Sequence, residues 1–266
     1  MSFSIETITL LAPAFVAGAF ISLAHVPLGQ EVLKRGIIFL DLAVAQFAAL
    51  GMIAFQVLLN IDEYSYLGMY GPLASGLIAA LTCAFTFHAL EKHAGRYQEA
   101  LIGCAFVLAA SLSILLMANN PHGGEEMKNI LAGQILWADW SDIKIAAPVF
   151  IFVFAIWHIF KDKREFLFYP LFALAIPFAV KMIGIYLVFA SLIFPALAVV
   201  KLIDHKVLWG IVVSLFGYSL GLATSYIFDW PSGPAIVLSM ALCSFLFPQA
   251  FNIVFRINKA TCCSGA

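Results

Sequence analysis

The chain has 266 residues, 63% of them hydrophobic and 11% charged, with a mean hydropathy of +1.00. Soluble domains carry roughly 45–50% apolar and about 25% charged residues, so this composition excludes a soluble enzyme, a nucleic-acid binder and a disordered scaffold. Fourteen Lys and Arg against 15 Asp and Glu leave a net charge of −1, which points to no polyanionic partner and no nucleic acid.

A helix crossing a bilayer needs about 20 mostly apolar residues. In chain order that window finds stretches near 8–27, 37–59, 71–90, 100–118, 143–160, 166–181, 183–200, 207–228 and 234–254. The predicted fold class is all-α: a polytopic transmembrane helical bundle with nine spans, or eight if the pair around Lys181 is one broken element. Broken helices are expected in the second half, where Pro170, Pro177, Gly184 and Pro195 interrupt the apolar runs. Residues 1–255 read as a single transmembrane domain and 256–266 as a short tail. The first stretch is longer than the roughly 7–15-residue core of a signal peptide and has no basic residue before Lys34, so it reads as a true first span.

Lys and Arg are retained on the cytoplasmic side of a membrane protein. One set of alternate loops holds Lys34, Arg35, Lys92, Arg96, Lys161, Lys163, Arg164, Lys201, Lys206, Arg256 and Lys259, eleven of the 14 basic residues. Only Lys128, Lys144 and Lys181 fall on the opposite side, among Glu125, Glu126, Asp139, Asp142 and Asp229. The split predicts a cytoplasmic C-terminus and, with nine crossings, an outside N-terminus. Of the cysteines, Cys83, Cys104 and Cys243 lie in apolar spans as small packing residues. The Cys262–Cys263 pair reads as a reduced cytosolic tail, with lipidation or soft-metal binding as the alternative.

An ionisable group inside a span is costly and is a functional candidate by default. Asp41 stands four residues into the apolar stretch of "RGIIFLDLAVAQFAALG", with Gln46 at i+5. That offset turns about 140° around a helix, so the two line one pore only if it is wide or the helix is irregular. The alternative is that Asp41 pairs with Lys34 and Arg35 at the interface. Gln98 and Glu99 open the fourth span, where Glu99 suits the positive helix end. His88 and His93 read as interfacial, His158 as a partnered buried histidine, and His25 and His205 as membrane-edge residues. The loop "NNPHGGEEMKN" at 119–129 is the most metal-like outward segment. There His122, Glu125 and Glu126 are ligand types suited to zinc or manganese, and the alternative is a solvated connection. Gly217 and Gly221 form a GxxxG that suits close helix packing, within the chain or in a dimer. No phosphate-cradling glycine loop and no nucleophile–base pair is present, so active transport would draw its energy from another subunit or an ion gradient.

Three colinear segments carry a resemblance. "VPLGQEVLKRGIIFLDLAVAQFAALG" (26–51) resembles the P-L-G, basic-pair, F-G-D-A-x-x-H segment of the permease subunits of zinc and manganese ABC importers. "GIYLVFASLIFPALAVV" (184–200) and "GLATSYIFDWPSGPAIVLSMAL" (221–242) are similar to that family's G-x-L-L-V-x-A-L-L-I-x-P-A-A and S-Y-x-x-D-x-P-S-G-P-A-I-V segments. The resemblance implies a non-enzymatic, homodimeric pore in a bacterial inner membrane, in contact with membrane lipid. It also implies two cytosolic ATP-binding subunits, an extracytoplasmic metal-binding protein and alternating access. The chain itself would bind no cofactor; the cargo would be a divalent metal ion, zinc first and manganese or iron next. The candidate metal-contacting residues are Asp41, Gln46, Glu99, His122 and Glu125. Two departures stand out. Where the family has His at i+4 from the Asp, this chain has Ala45, with Gln46 one residue further. Where the family has an acidic ATPase-docking helix, the loop is only "FKDKREFLF", residues 160–168. That short loop raises a rival reading, an uncoupled or scaffold-like permease homologue. An ion-gradient-driven carrier using Asp41 is a third.

Overall fold

The computed structural model describes residues 5–59, 65–118, 120, 123–133, 135–202 and 204–263. Among these the chain forms nine α-helices and no β-strand: α1 (Ile5–Arg35), α2 (Phe39–Leu59), α3 (Tyr66–Ala94), α4 (Gln98–Met117), α5 (Gly123–Ala132), α6 (Trp140–Ile159), α7 (Arg164–Ala198), α8 (Lys206–Phe228) and α9 (Ser232–Cys263). Eight of them, all but α5, are long and apolar enough to cross a membrane. Helices are the expected solution, because backbone polar groups in hydrocarbon must be satisfied within their own segment. Where the chain returns to polar surroundings, side chains start the helices. Ser65 accepts from the Gly68 N–H at 3.0 Å ahead of α3. Ahead of α6, Asp139 accepts from the Ser141 N–H at 2.9 Å and the Asp142 N–H at 3.0 Å. The Ser141 hydroxyl and the Asp142 amide hold the Asp139 carboxyl below the usual carboxylate range. That cap is therefore intact at neutral pH and lost only as pH falls through the lowered value.

The first span is longer than its apolar run. The stretch read as 8–27 stops at Pro27, yet α1 carries Pro27 inside it and continues to Arg35. A proline within a membrane helix is tolerated where neighbouring helices surround it.

α7 settles the question of eight or nine spans. A straight 35-residue helix would be about 52 Å long, yet Arg164 from its first turn and Ala196 from its last line one crevice together with Lys34. The chain therefore folds back, and it does so at Gly184, whose φ of 72° and ψ of 165° are non-helical. Limb 164–183 runs up the bundle and limb 185–198 runs down it. The break falls at Gly184 rather than beside Lys181, and the bundle is traversed nine times by eight long helices. The turn is tight because Gly184 lies backbone against backbone on Gly133, itself at φ 69°, and a Cβ on either would overlap the other segment. α7 is also the most enclosed span, 83% buried against 22% for α4, so the folded-back helix is the axis around which the others pack.

α8 packs between α1 and α9 in regular antiparallel register. Gly18 faces the Tyr218 ring, Ser22 Oγ lies 2.8 Å from Ser214 Oγ, and Val26 meets Gly210. Each step is four residues on both helices. On its other face, the GxxxG glycines Gly217 and Gly221 meet the backbone of Met240 and Ile236 on α9. The motif is thus spent on an interface inside the chain. A methyl on Gly217 would stand 2.9 Å from the Met240 Cα. Gly217→Leu should therefore push α8 off α9 and cost about 1–3 kcal/mol, measurable as a lower melting temperature of the detergent-solubilised protein.

These pairings define two ends of the bundle. One end gathers Glu31, Lys34, Arg35, Glu91, Lys161, Asp162, Arg164, Glu165, Val200 and Lys206 around two adjoining crevices. The other gathers Gly68, Asn129, Gly133, Asp142 and Lys181, with Gly233 at the start of α9 packed on Ala132. The charge sorting anticipated this division.

Candidate functional site

α2 sits against α3, α4 and α7 and carries the two polar groups that the sequence singled out in a span. Asp41 lies in the first turn of α2 and is fully buried, and neither carboxylate oxygen has a hydrogen-bond partner. The cations expected to neutralise it are engaged elsewhere. Arg35 Nε donates to Glu31 Oε1 at 3.0 Å and its Nη1 to Glu91 Oε1 at 3.5 Å; Lys34 Nζ lies 3.7 Å from Glu31 Oε2. Asp41 is therefore a carboxylate held in the bundle interior, rather than one half of a structural ion pair.

Gln46 is also buried, with its Oε1 unpartnered. It lines a half-open apolar pocket of about 520 Å³ with Leu42, Phe106, Met127, Leu131, Phe189 and Val237, from α2, α4, α5, α7 and α9. Asp41 is not among the lining residues. α2 is a regular helix, so the i+5 offset turns the two groups apart and they share no wall.

Glu99 acts across helices. Its Oε1 accepts from the Phe39 N–H at 3.1 Å, satisfying an orphan donor at the positive end of α2 and setting a second carboxylate beside the turn that holds Asp41. Glu99 also stands in the first turn of its own helix, as expected, so it serves two helix starts. Glu125 lies exposed on α5 at the other end of the bundle. His122 lies outside the described residues, as do the side chains of Glu126, His93, Cys262 and Cys263. The described candidates therefore do not form one site: Asp41 lies in the first turn of α2, Glu99 bonds the Phe39 N–H at the start of that turn, Gln46 lines an apolar pocket, and Glu125 is at the opposite end. Among the described residues no three His, Cys, Asp or Glu side chains form a group able to hold a metal.

Two polar centres escaped the sequence reading. His25 is not a membrane-edge residue. It is fully buried in α1, its Nδ1 2.7 Å from the Ser191 Oγ on the returning limb of α7, with its ring edge-on to Phe150. The error follows from ending the first span at Pro27. His158 has the expected partner, donating from Nδ1 to the Phe154 carbonyl at 2.9 Å, but it is half-buried rather than buried.

The second centre is Arg35, which joins three helices. Besides Glu31 and Glu91 it donates through Nη2 to the Glu165 carbonyl at 3.3 Å and lies 4.6 Å from the Phe168 ring centre. The Arg35 and Glu31 side chains are only 11% and 12% exposed. Arg35→Gln should leave Glu31 and Glu91 without their shared cation and cost about 3–5 kcal/mol, read as a lower unfolding midpoint. Arg35→Lys should recover only part of it, because an ammonium lacks the planar fork.

A folded-back central helix inside a multi-pass bundle, with a buried carboxylate free of protein partners, is the build of a membrane permease. The chain belongs to the ABC 3 transport family, whose model matches residues 7–251. It is a transport subunit with no catalysis of its own. It is 23% identical over 261 residues to the high-affinity zinc uptake system membrane protein ZnuB of Haemophilus influenzae, covering 90% of this chain and 95% of that protein. It is 25% identical over 204 residues to the manganese transport system membrane protein MntC of Halalkalibacterium halodurans, covering 68% of each. Among solved structures, PsaBC from Streptococcus pneumoniae in complex with Fab superposes with a TM-score of 0.73 at 19% identity, over 94% of this chain and 98% of that one.

Proposed function

We propose that the chain is the membrane-spanning subunit of a binding-protein-dependent ABC importer of divalent metal ions, zinc first and manganese or iron next. It works as a homodimer with two cytosolic ATP-binding subunits, and an extracytoplasmic metal-binding protein delivers the ion. The observation that carries this reading is Asp41, a buried carboxylate whose oxygens no protein group occupies, in a chain whose relatives are named for zinc and manganese transport. A hard carboxyl oxygen at membrane depth suits a divalent cation in transit.

The end that gathers Lys34, Arg35, Lys161, Arg164 and Lys206 is the cytoplasmic one by the positive-inside rule, which places the C-terminus in the cytoplasm. Glu125 then faces outward, where the ion arrives. The Gln46 cavity lies between that face and the Asp41–Glu99 turn. ATP-driven closure of the partner subunits rocks the two copies about the folded-back α7, exposing the interior carboxylate to one side and then the other. The test is uptake of radioactive zinc into vesicles carrying the chain with and without its ATP-binding subunit. ATP-dependent uptake only in the complete assembly supports the reading, and equal flux without the ATPase sinks it.

One observation favours a second reading, an uncoupled or scaffold-like homologue. The connection between α6 and α7 is a single short turn, Lys161–Lys163, with no helix of its own to engage a partner. Co-purification with an ATP-binding subunit supports the importer, and repeated failure to co-purify supports this alternative.

A further inference from the structure

The basic end of the bundle holds a crevice of about 380 Å³ that the transport reading does not use. It opens between the end of α1, the end of α6, both ends of α7 and the start of α8. Leu33, Trp157 and Val200 are among its walls. Three cations converge there, Lys34, Arg164 and Lys206, with Glu31 as the one carboxylate in the lining. Glu31 is held by Arg35 at 3.0 Å and by Lys34 at 3.7 Å, so Arg164 and Lys206 supply the excess positive charge of the crevice.

The donors are positioned, not loose. Arg164 Nε donates to the Trp157 carbonyl at 3.1 Å and its guanidinium lies 5.1 Å from the Trp157 ring centre. That fixes the plane of the fork and leaves its terminal N–H groups for a ligand. Lys206 Nζ donates to the Val200 carbonyl at 3.1 Å, which anchors one of its three protons. Gln30 Nε2, which also belongs to the lining residue set, is buried with no hydrogen-bond partner. A buried donor without an acceptor is costly, so Gln30 and the remaining N–H groups of Arg164 and Lys206 are left for an anionic oxygen.

The position of the crevice decides which anion. It lies where apolar spans give way to the basic rim, and Leu197, Val200 and Leu208 beside it expose apolar surface. Basic pockets between membrane helices on the cytoplasmic side suit lipid headgroups. We propose that this crevice binds the phosphate headgroup of an anionic phospholipid, with its acyl chains along Leu197, Val200 and Leu208. The proposal stands independently of which ion the chain carries.

The test is titration of the purified full chain in neutral detergent with phosphatidylglycerol, phosphatidylcholine or inorganic phosphate, reading the melting temperature and, by native mass spectrometry, bound lipid. Phosphatidylglycerol should bind and raise the melting temperature, and the other two should not. Lys34→Gln combined with Lys206→Gln should weaken phosphatidylglycerol binding about thirtyfold, the loss expected for two basic groups near an anionic surface, while the lipid-free melting temperature holds. Lys206→Arg should retain binding, and 0.5 M salt should weaken it in the unaltered chain. An equal response to phosphatidylcholine, an equal response to inorganic phosphate, or unchanged binding in the double variant would each overturn the proposal. So would a phosphatidylglycerol response insensitive to salt.

Discussion

Asp41→Asn should reduce ATP-dependent zinc uptake by at least about a hundredfold, beyond the tenfold-to-hundredfold typical of losing a residue that only supports a metal ligand. Stability should move the other way. A buried carboxylate with no partner is among the most costly groups in a fold, and Asn keeps its size while removing the charge. The metal-free variant should therefore melt at the same temperature as the unaltered chain or higher. Zinc adds a second readout. A ligand bound only by the folded state stabilises it by about 2.7 kcal/mol at a hundred times its dissociation constant. The unaltered chain should show that upward shift on adding zinc and the variant should not. Undiminished uptake by Asp41→Asn would remove Asp41 from the route. A lower metal-free melting temperature would show instead that Asp41 is structural.

Gly184→Ala should be among the most damaging single methyl groups in the molecule. The position has φ 72°, which costs a residue with a Cβ about 1–2 kcal/mol. The added carbon would also meet the Gly133 backbone, which has no flexible side chain to yield, and overpacking of this kind costs about 1–3 kcal/mol more. The sum, about 2–5 kcal/mol, is a large part of a typical domain's stability. Gly103→Ala on α4 is the control: nothing lies within 4 Å of a Cβ there, and replacing a mid-helix glycine should gain about 0.5–1 kcal/mol. Unfolding of both variants in detergent checks the contrast. A neutral Gly184→Ala would show that the two limbs of α7 are not held by the Gly133 contact.

Asp41 and Gln46 show how far the candidate site was legible. Both stood out as polar residues in an apolar run, and both are buried. Their separate fates were half visible, because the i+5 offset already turned them apart; only the packing of α4, α5, α7 and α9 around Gln46 showed which of the two faces a cavity. Glu99 was legible as a carboxylate in the first turn of α4, but its bond to the Phe39 N–H of α2, sixty positions away, was not. His25 was misplaced because Pro27 was taken as a boundary, although proline does not end a membrane helix that its neighbours enclose. Arg35 gave a local signal only for Glu31, one turn back on α1; the contacts that tie it to other helices, Glu91 and the Glu165 carbonyl, were not legible.

The sequence by itself determined the helical class, the level of the spans and the division of the bundle into a basic and an acidic end. These follow from local quantities, namely the number of apolar residues that match a bilayer and the cost of placing charge within it. The tertiary structure alone decided that α7 is two limbs joined at Gly184, that the GxxxG faces α9, and that Lys34, Arg164 and Lys206 surround one crevice. Each of these joins residues far apart in the chain: 184 with 133, 217 with 240, 34 with 206. Hydropathy has no information about such pairings, because every face of these helices is apolar enough for lipid. Which face turns inward is decided by the fit of glycines, serines and ring edges across the interface.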